Sequence, residues 1–307
     1  MSVLPQLGVV VPPDAPRVTA SGRRGVLRAF AQNRTGVGGA VLLLLIAAAC
    51  WIGPLFYHVQ PNAVDPTAFL APPSAQHLLG TDQLGRDVLA RLLYGGQVSL
   101  LIGLAAAVTA TTLGVTWGVI SGLYGGWVDS LMMRTVDVVM SIPPLFFVLL
   151  LAVIFRPTTA LLIIVVAIGA WLLPARLMRA EAQSIMARPF VEAARGMSAG
   201  NRRLIFRYLL PNSIGTIVVN LTFQVADAML LIAALSFLGF GVPAPTASWG
   251  SMLSDAQDYI FQNAWWLVYP AGASILLTVI AVNLVGDGLR DAFEVRLRDV
   301  GGGNGHH

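Results

Sequence analysis

At 307 residues, with 56% hydrophobic and 11% charged side chains and a mean hydropathy of +0.74, the chain carries more apolar surface than a soluble fold can hide. All 19 basic residues are arginine, which excludes a phosphate-binding P-loop lysine, a Schiff-base lysine and a Ser-Lys dyad. The one cysteine, Cys50, excludes an intrachain disulfide or a multi-cysteine metal site, and the net charge of +4 comes from arginines scattered between apolar runs, not from the basic face of a nucleic-acid binder.

Residues 1–20, with Pro5, Pro12, Pro13 and Pro16, predict a flexible leader. Beyond them, apolar runs of about 20 residues match the length a helix needs to cross ~30 Å of hydrocarbon at ~1.5 Å per residue. They predict an all-α membrane protein with six transmembrane helices at about 36–57, 98–122, 136–155, 158–175, 214–240 and 265–289. The first has no small-residue cleavage site behind it and reads as a retained anchor, with Cys50 as a buried small hydrophobe.

The external loop 58–97 contains GTDQLGRDV, in which Gly80, Asp82, Gly85, Arg86 and Asp87 predict a turn held by local charge pairs. The loop is either a folded cap with structural charges or a surface that receives another protein. His58 and His77 also lie here without clustered ligands, so no metal site is predicted. Pro143-Pro144, near the start of the third span, either breaks the helix and frees carbonyls toward a cavity or kinks a packed span. Asp137 is expected to cap or to pair with Arg134.

Loop 176–213 reads as helix, turn, helix: Pro189 opens a helix at FVEAARGMSAG, Gly196 and Gly200 permit a turn or a close approach, and Pro211 stops the second helix. Such a loop is either a surface built to meet another protein or an amphipathic linker whose arginines only set topology. In the fifth span Asp227 falls near the middle, where an acid is expensive; it either lines a path and attracts an ammonium group or makes a polar contact with a neighbouring helix. Loop 241–264, with Pro243, Pro245, Trp249 and Asp255, is read as external, and Trp265 and Trp266 as interfacial anchors. Asp287, near the end of the sixth span, is expected to cap or to pair with Arg290, and GGGNGHH to be a loose tail.

Arg17, Arg23, Arg24, Arg28, Arg34, Arg134, the seven arginines of loop 176–213, and Arg290, Arg296 and Arg298 fall on one side of these six spans; only Arg86, Arg91 and Arg156 fall on the other. The positive-inside rule then places both termini and loop 176–213 in the cytoplasm. No Ser/His/Asp set, HExxH or paired carboxylates in a cleft are present, so no catalytic residue is predicted.

The segment EAARGMSAGNRRLIFRYLLPN, 192–212, resembles the cytoplasmic EAA signature of ABC-importer permeases. LGTDQLGRDVLARLLYGGQVSL (79–100), MSIPPLFFVLLL (140–151), LSFLGFGVPAPTASWGSML (235–253) and NLVGDGLRDAF (283–293) resemble, in order and spacing, the C-type subunits of dipeptide/oligopeptide permeases. The resemblance covers about 35–295 and implies the type I ABC importer permease fold. It divides the chain into a cytoplasmic segment 1–35, a first helix and external loop 36–97, a five-helix permease core 98–295 with coupling loop 176–213, and a tail 296–307.

It further implies alternating access, with Glu192, Ala193, Ala194, Arg195, Gly196, Ser198 and Gly200 contacting an ATPase. Asp227, Pro143 and Pro144 would lie along the translocation path, and Asp82, Arg86, Asp87 and Trp249 would face an external binding protein. The implied partners are a second, B-type permease, two ATPase domains, the binding protein and the bilayer. ATP and Mg would sit on the partners, with no cofactor on this chain. The cargo would be peptide, with nickel, glutathione or haem as alternatives; a proton- or sodium-coupled transporter built on Asp227 and an intramembrane enzyme are the readings outside the family. One departure concerns the turn: the family's glycine falls on Ser198, whereas the glycines here stand at 196 and 200.

Overall fold

The structure is a computed structural model describing the backbone of residues 20–155 and 158–302, and side chains of 25–155 and 158–294. Among the described residues all regular structure is helical. Residues 1–19 of the predicted leader 1–20, Arg156 and the last five residues of the tail lie outside them.

A helix missed by the hydropathy reading, α1 (Ala20–Gln32), precedes the first span and buries Val26. Asn33 then caps α2 (Arg34–Phe56) by accepting from Gly36 N at 2.9 Å. α2 is apolar all round and leaves Leu44, Leu45, Leu55 and Phe56 exposed, as a lipid-facing helix does. The next helix, α3 (Val88–Tyr124), starts ten residues before the expected span. Its 37 residues give about 55 Å of helix, more than a bilayer core requires. Those extra turns hold Arg91 and Gln97, which lower the hydropathy that marks a span.

The third and fourth spans are each broken. α4 (Gly126–Met140) and α5 (Pro144–Phe155) meet at 85° across Ser141–Pro143, and α6 (Thr159–Ala170) and α7 (Leu172–Met186) at 48° around Trp171. Pro144 opens α5, where a missing N–H costs nothing, so the proline pair ends one helix and starts another. α8 (Pro189–Gly196), α9 (Asn201–Arg203), a π-helical turn Leu204–Leu209 and α10 (Leu210–Asn212) form the connection to α11 (Ile214–Phe237). α12 (Trp249–Ala256) and α13 (Trp265–Gly302) complete the chain. α13 stays helical to Gly302, where a tail was expected from 296. Four single helices are long and apolar enough to cross a membrane, and the two bent pairs raise the number to six.

α3 sits at the centre, packed on α7, α11, α6 and α2, while α13 packs on α2, α11 and α1. Small residues set the close approaches. A Cβ at Gly36 would lie 2.9 Å from Gly288 Cα, and one at Gly118 would lie 2.5 Å from Ala175 O and 2.7 Å from Arg179 N. Without a hydrophobic drive between helices in lipid, such backbone contact is what van der Waals packing there requires. The α2–α13 approach, with Asn33 Nδ2 donating to Asp291 Oδ2 at 2.9 Å, brings both ends of the described chain to one end of the bundle. Gly122 against Ala182 puts the α3–α4 turn and the end of α7 there too. The opposite end gathers 50–57, 80–96, 248–256 and 264–267.

Candidate functional site

Three features carry the residues singled out in the sequence. The first is the α8–α10 connection. α8 turns Val191 and Ala194 inward onto Ile185, Met186, Leu204 and Leu209, and leaves Glu192, Ala193, Arg195 and Gly196 exposed. Ala194 is therefore part of a small core under the helix and not a contact surface, because positions 191 and 194 share the inward face. Arg188, Met197, Arg202, Arg203, Phe206 and Arg207 are exposed on the same connection. Glu192 in the first turn and Arg195 in the last both suit the helix dipole.

The turn after α8 resolves the departure at Ser198. Ser198 has φ +59, the left-handed conformation that glycine adopts freely, and its N–H bonds Arg195 O at 2.9 Å. The bend is thus kept with serine at a cost of about 1–2 kcal/mol over glycine. Gly200, with φ −68, and Gly196, with open space around it, have no such requirement.

The second feature is the cap formed by the α2–α3 connection and α12. Asp82 accepts from Leu84 N (2.8 Å), Arg86 N (2.9 Å) and Arg86 Nε (2.7 Å), and its Oδ2 lies 3.5 Å from Arg91 Nε. Arg86 and Arg91 also reach Asp255 Oδ2 on α12, at 3.2 and 3.4 Å. Asp87 caps α3 by accepting from Ala90 N (2.8 Å), accepts from Tyr57 Oη (2.7 Å), and lies 2.9 Å from His77 Nδ1. Burial, helped by that carboxylate, pushes the Tyr57 phenol up to about 12. Asp65, exposed, is held below the usual carboxylate range because it accepts from the hydroxyl and amide of Thr67.

Asp82, Arg86 and Asp87 are 2–8% exposed and Trp249 1%. This corrects the expectation that these four side chains face a partner: Asp82 and Arg86 are buried as an ion pair, Asp87 is buried as the cap of α3 against Tyr57 and His77, and Trp249 is buried on α12. Trp249 is driven between helices, where its indole N–H donates to Leu92 O (2.9 Å) and its backbone N–H to Ser99 Oγ (3.0 Å). A Cβ at Gly96 would come within 2.7 Å of its ring. Trp266 is likewise buried, donating to Thr81 O at 3.1 Å, so only Trp265 of that pair is exposed as an anchor would be. The cap's outward surface is made by Phe69, Leu78, Leu84, Ile260 and Phe261.

The third feature lies within the bundle. Asn220, Gln224 and Asp227 stand at i, i+4 and i+7 on α11, along one face. Gln224 is buried and donates to Ala170 O (2.6 Å) at the α6–α7 bend, whereas Asp227, in mid-helix, is exposed. Asn220 Oδ1 is buried without a partner among the described residues. Pro143 and Pro144 are exposed at the α4–α5 bend. The expected partners of two acids also change: Asp137 pairs with Arg176 on α7, and Arg290 with Glu294 at 3.1 Å.

A second buried ionic cluster escaped sequence reasoning. Asp129, 8% exposed, accepts from Ser121 Oγ, from Arg179 through both Nε and Nη2, and from Gln183 Nε2 at 3.3 Å. An acid just after the Gly125-Gly126 turn was its only local signal, since Arg179 lies 50 residues away.

Comparisons with known proteins agree with this architecture. The profile of the binding-protein-dependent transport system inner membrane component family matches residues 114–299, and that of the N-terminal TM domain of oligopeptide transport permease C matches residues 23–73. A Brucella suis biovar 1 protein named as a peptide permease is 43% identical over 297 residues, 96% of each chain. The di/tripeptide transport system permease protein DppC of Pseudomonas aeruginosa is 40% identical over 278 residues, covering 89% of this chain and 91% of its own. The oligopeptide transport system permease protein OppC of Bacillus subtilis is 38% identical over 269 residues, 88% of each. With a family profile spanning more than half of the sequence and relatives at this identity over nearly all of it, the chain belongs to the binding-protein-dependent transport system inner membrane components, as a multi-pass protein of a bacterial inner membrane.

Proposed function

We propose that this chain is the permease subunit of an ATP-binding cassette importer that carries short peptides into the cell by alternating access, with ATP and Mg bound by partner subunits. The observation that carries the reading is the α8 connection: a short helix seated on its own small core, presenting Glu192, Ala193, Arg195 and Gly196 outward at the arginine-rich end of the bundle. A small-residue surface suits close docking, and the Glu192 carboxylate on it can pair with a basic residue of an ATPase groove.

Orientation follows from charge. Sixteen of the 19 arginines fall on the α8 side of the predicted spans, against Arg86, Arg91 and Arg156 on the other. That asymmetry supports cytoplasmic placement of both termini and α8. The apolar outer surface of the cap, with Phe69, Leu84 and Phe261, then faces outside, where a binding protein delivers cargo. Asp227, exposed at mid-membrane, has to face water or protein; it supports a path shared with a second permease subunit, where its carboxylate meets the ammonium of a peptide. The bend at Pro143-Pro144 gives the same subunit a joint across which α5 can shift. Peptide cargo is favoured by the names of relatives that cover 88–96% of the chain.

The test is import by the complete complex in proteoliposomes. Labelled tripeptide is expected to accumulate inside only with the binding protein outside and ATP with Mg inside. Accumulation driven by a proton or sodium gradient without ATP, or none with ATP, contradicts the proposal.

A further inference from the structure

We infer that the Asp129–Arg179 pair is a positioning clamp that makes α4 move with α8, so that displacement of α8 reaches the α4–α5 bend. The inference rests on the reading of α8 as the element an ATPase moves. Asp129 sits in the first turn of α4, directly after Gly125 and Gly126, whose φ of +61 and +52 fold the chain back from α3. Its carboxylate holds Arg179 bidentately, and Ser121 and Gln183 complete the set, so one buried acid joins α3, α4 and α7. A bidentate guanidinium–carboxylate contact fixes direction as well as distance, which a single exposed pair does not. Two turns along α4, Asp137 repeats the tie to α7 through Arg176, in the exposed form.

α7 in turn is seated on the glycines of α3 and leads through only Ala187 and Arg188 into α8, whose Val191 and Ala194 rest on Ile185 and Met186. On its other side α8 is joined to α11 through the left-handed Ser198, the π-helical turn Leu204–Leu209 and Pro211. The π turn replaces the regular α register with a wider one of the kind that concentrates at functional sites. α8 is therefore tied to α7 through a two-residue link and to the π-helical turn through the core that Val191 and Ala194 share with Leu204 and Leu209. α3, α4, α7 and α8 form one unit, and the 85° bend is where relative motion begins.

The experiment compares peptide imported per ATP hydrolysed by the reconstituted complex carrying wild-type chain, Asp129→Asn, Arg179→Gln or Arg179→Lys. Arg179→Gln and Asp129→Asn are expected to lower the ratio at least about fivefold, with hydrolysis still stimulated by loaded binding protein and the complex still co-purifying. Arg179→Lys, which keeps charge but not the fork, falls between them and wild type. A purely structural pair would change yield or melting temperature and leave the ratio of surviving complex untouched; an unchanged ratio overturns the inference. A second measurement needs no disruptive variant: spin labels at positions 131 and 197 in a Cys50→Ser background should keep one distance in nucleotide-free and ATP-trapped complex. A distance that changes between those states overturns the inference even where the clamp variants do not assemble. If Glu192→Arg abolishes stimulation while the clamp variants keep the wild-type ratio, the clamp alone fails; if Glu192→Arg changes nothing, the reading of α8 itself fails.

Discussion

Gly118→Leu is expected to cost upwards of about 3 kcal/mol and to lower the melting temperature of the purified chain by on the order of 10 °C. The magnitude follows from what surrounds the site. A Cβ there would lie 2.5 Å from Ala175 O, 2.7 Å from Arg179 N and 2.8 Å from Met178 Cβ, and two of these atoms are backbone, which cannot swing aside. Gly114 and Gly122, one turn on either side, meet Pro174 and Ala182 in the same way, so relief by sliding α3 along α7 meets the next glycine contact. Both helices carry the central core, and parting them also exposes Met178 and Ala182. Gly38→Ala is the control, since nothing lies within 4 Å of a Cβ there. A thermal melt in mild detergent that finds Gly118→Leu as stable as Gly38→Ala contradicts the α3–α7 packing.

Asp82→Leu is expected to cost about 3–5 kcal/mol, the cost of removing one partner from a buried ionic network. The change leaves Arg86 and Arg91, 8% and 3% exposed, with only Asp255 for neutralisation. It also orphans the amides of Leu84 and Arg86, which bond to the same carboxylate. Asp82→Asn keeps an acceptor for those amides and loses only the charge, so it lies between Leu and wild type. Asp255→Asn costs least, because Asp255 is 37% exposed and its contacts are longer. Limited proteolysis of the α2–α3 segment 57–87, together with thermal melts, reads this order; an order in which Asp255→Asn is the most damaging contradicts the geometry.

Local chemistry made much of the fold legible. Apolar runs located the spans because hydrocarbon demands about 20 residues of helix, and Pro189 marked the start of α8 because its ring suits the first helical position. The motif alignment put a glycine requirement on Ser198, and the backbone there is left-handed. What escaped depends on distance along the chain. Arg91 makes the start of α3 look like a loop until Asp82 and Asp255 neutralise it. Trp249 reads as a surface aromatic until Gly95 and Gly96, over 150 residues earlier, open a slot for it. Asp129 gains its partners only when α7 lies along α3. Each is a pairing that periodicity within one window cannot register.

α8 as the coupling element is the central claim, and ATP hydrolysis by the reconstituted complex tests it most directly, with loaded binding protein added and wild-type compared with Glu192→Arg. Glu192 is exposed on α8 and outside the core beneath it, so the charge reversal leaves the fold of this chain intact and acts on the docking surface. The account predicts loss of stimulation, or loss of the ATPase from the purified complex. Full assembly with undiminished stimulation would contradict it.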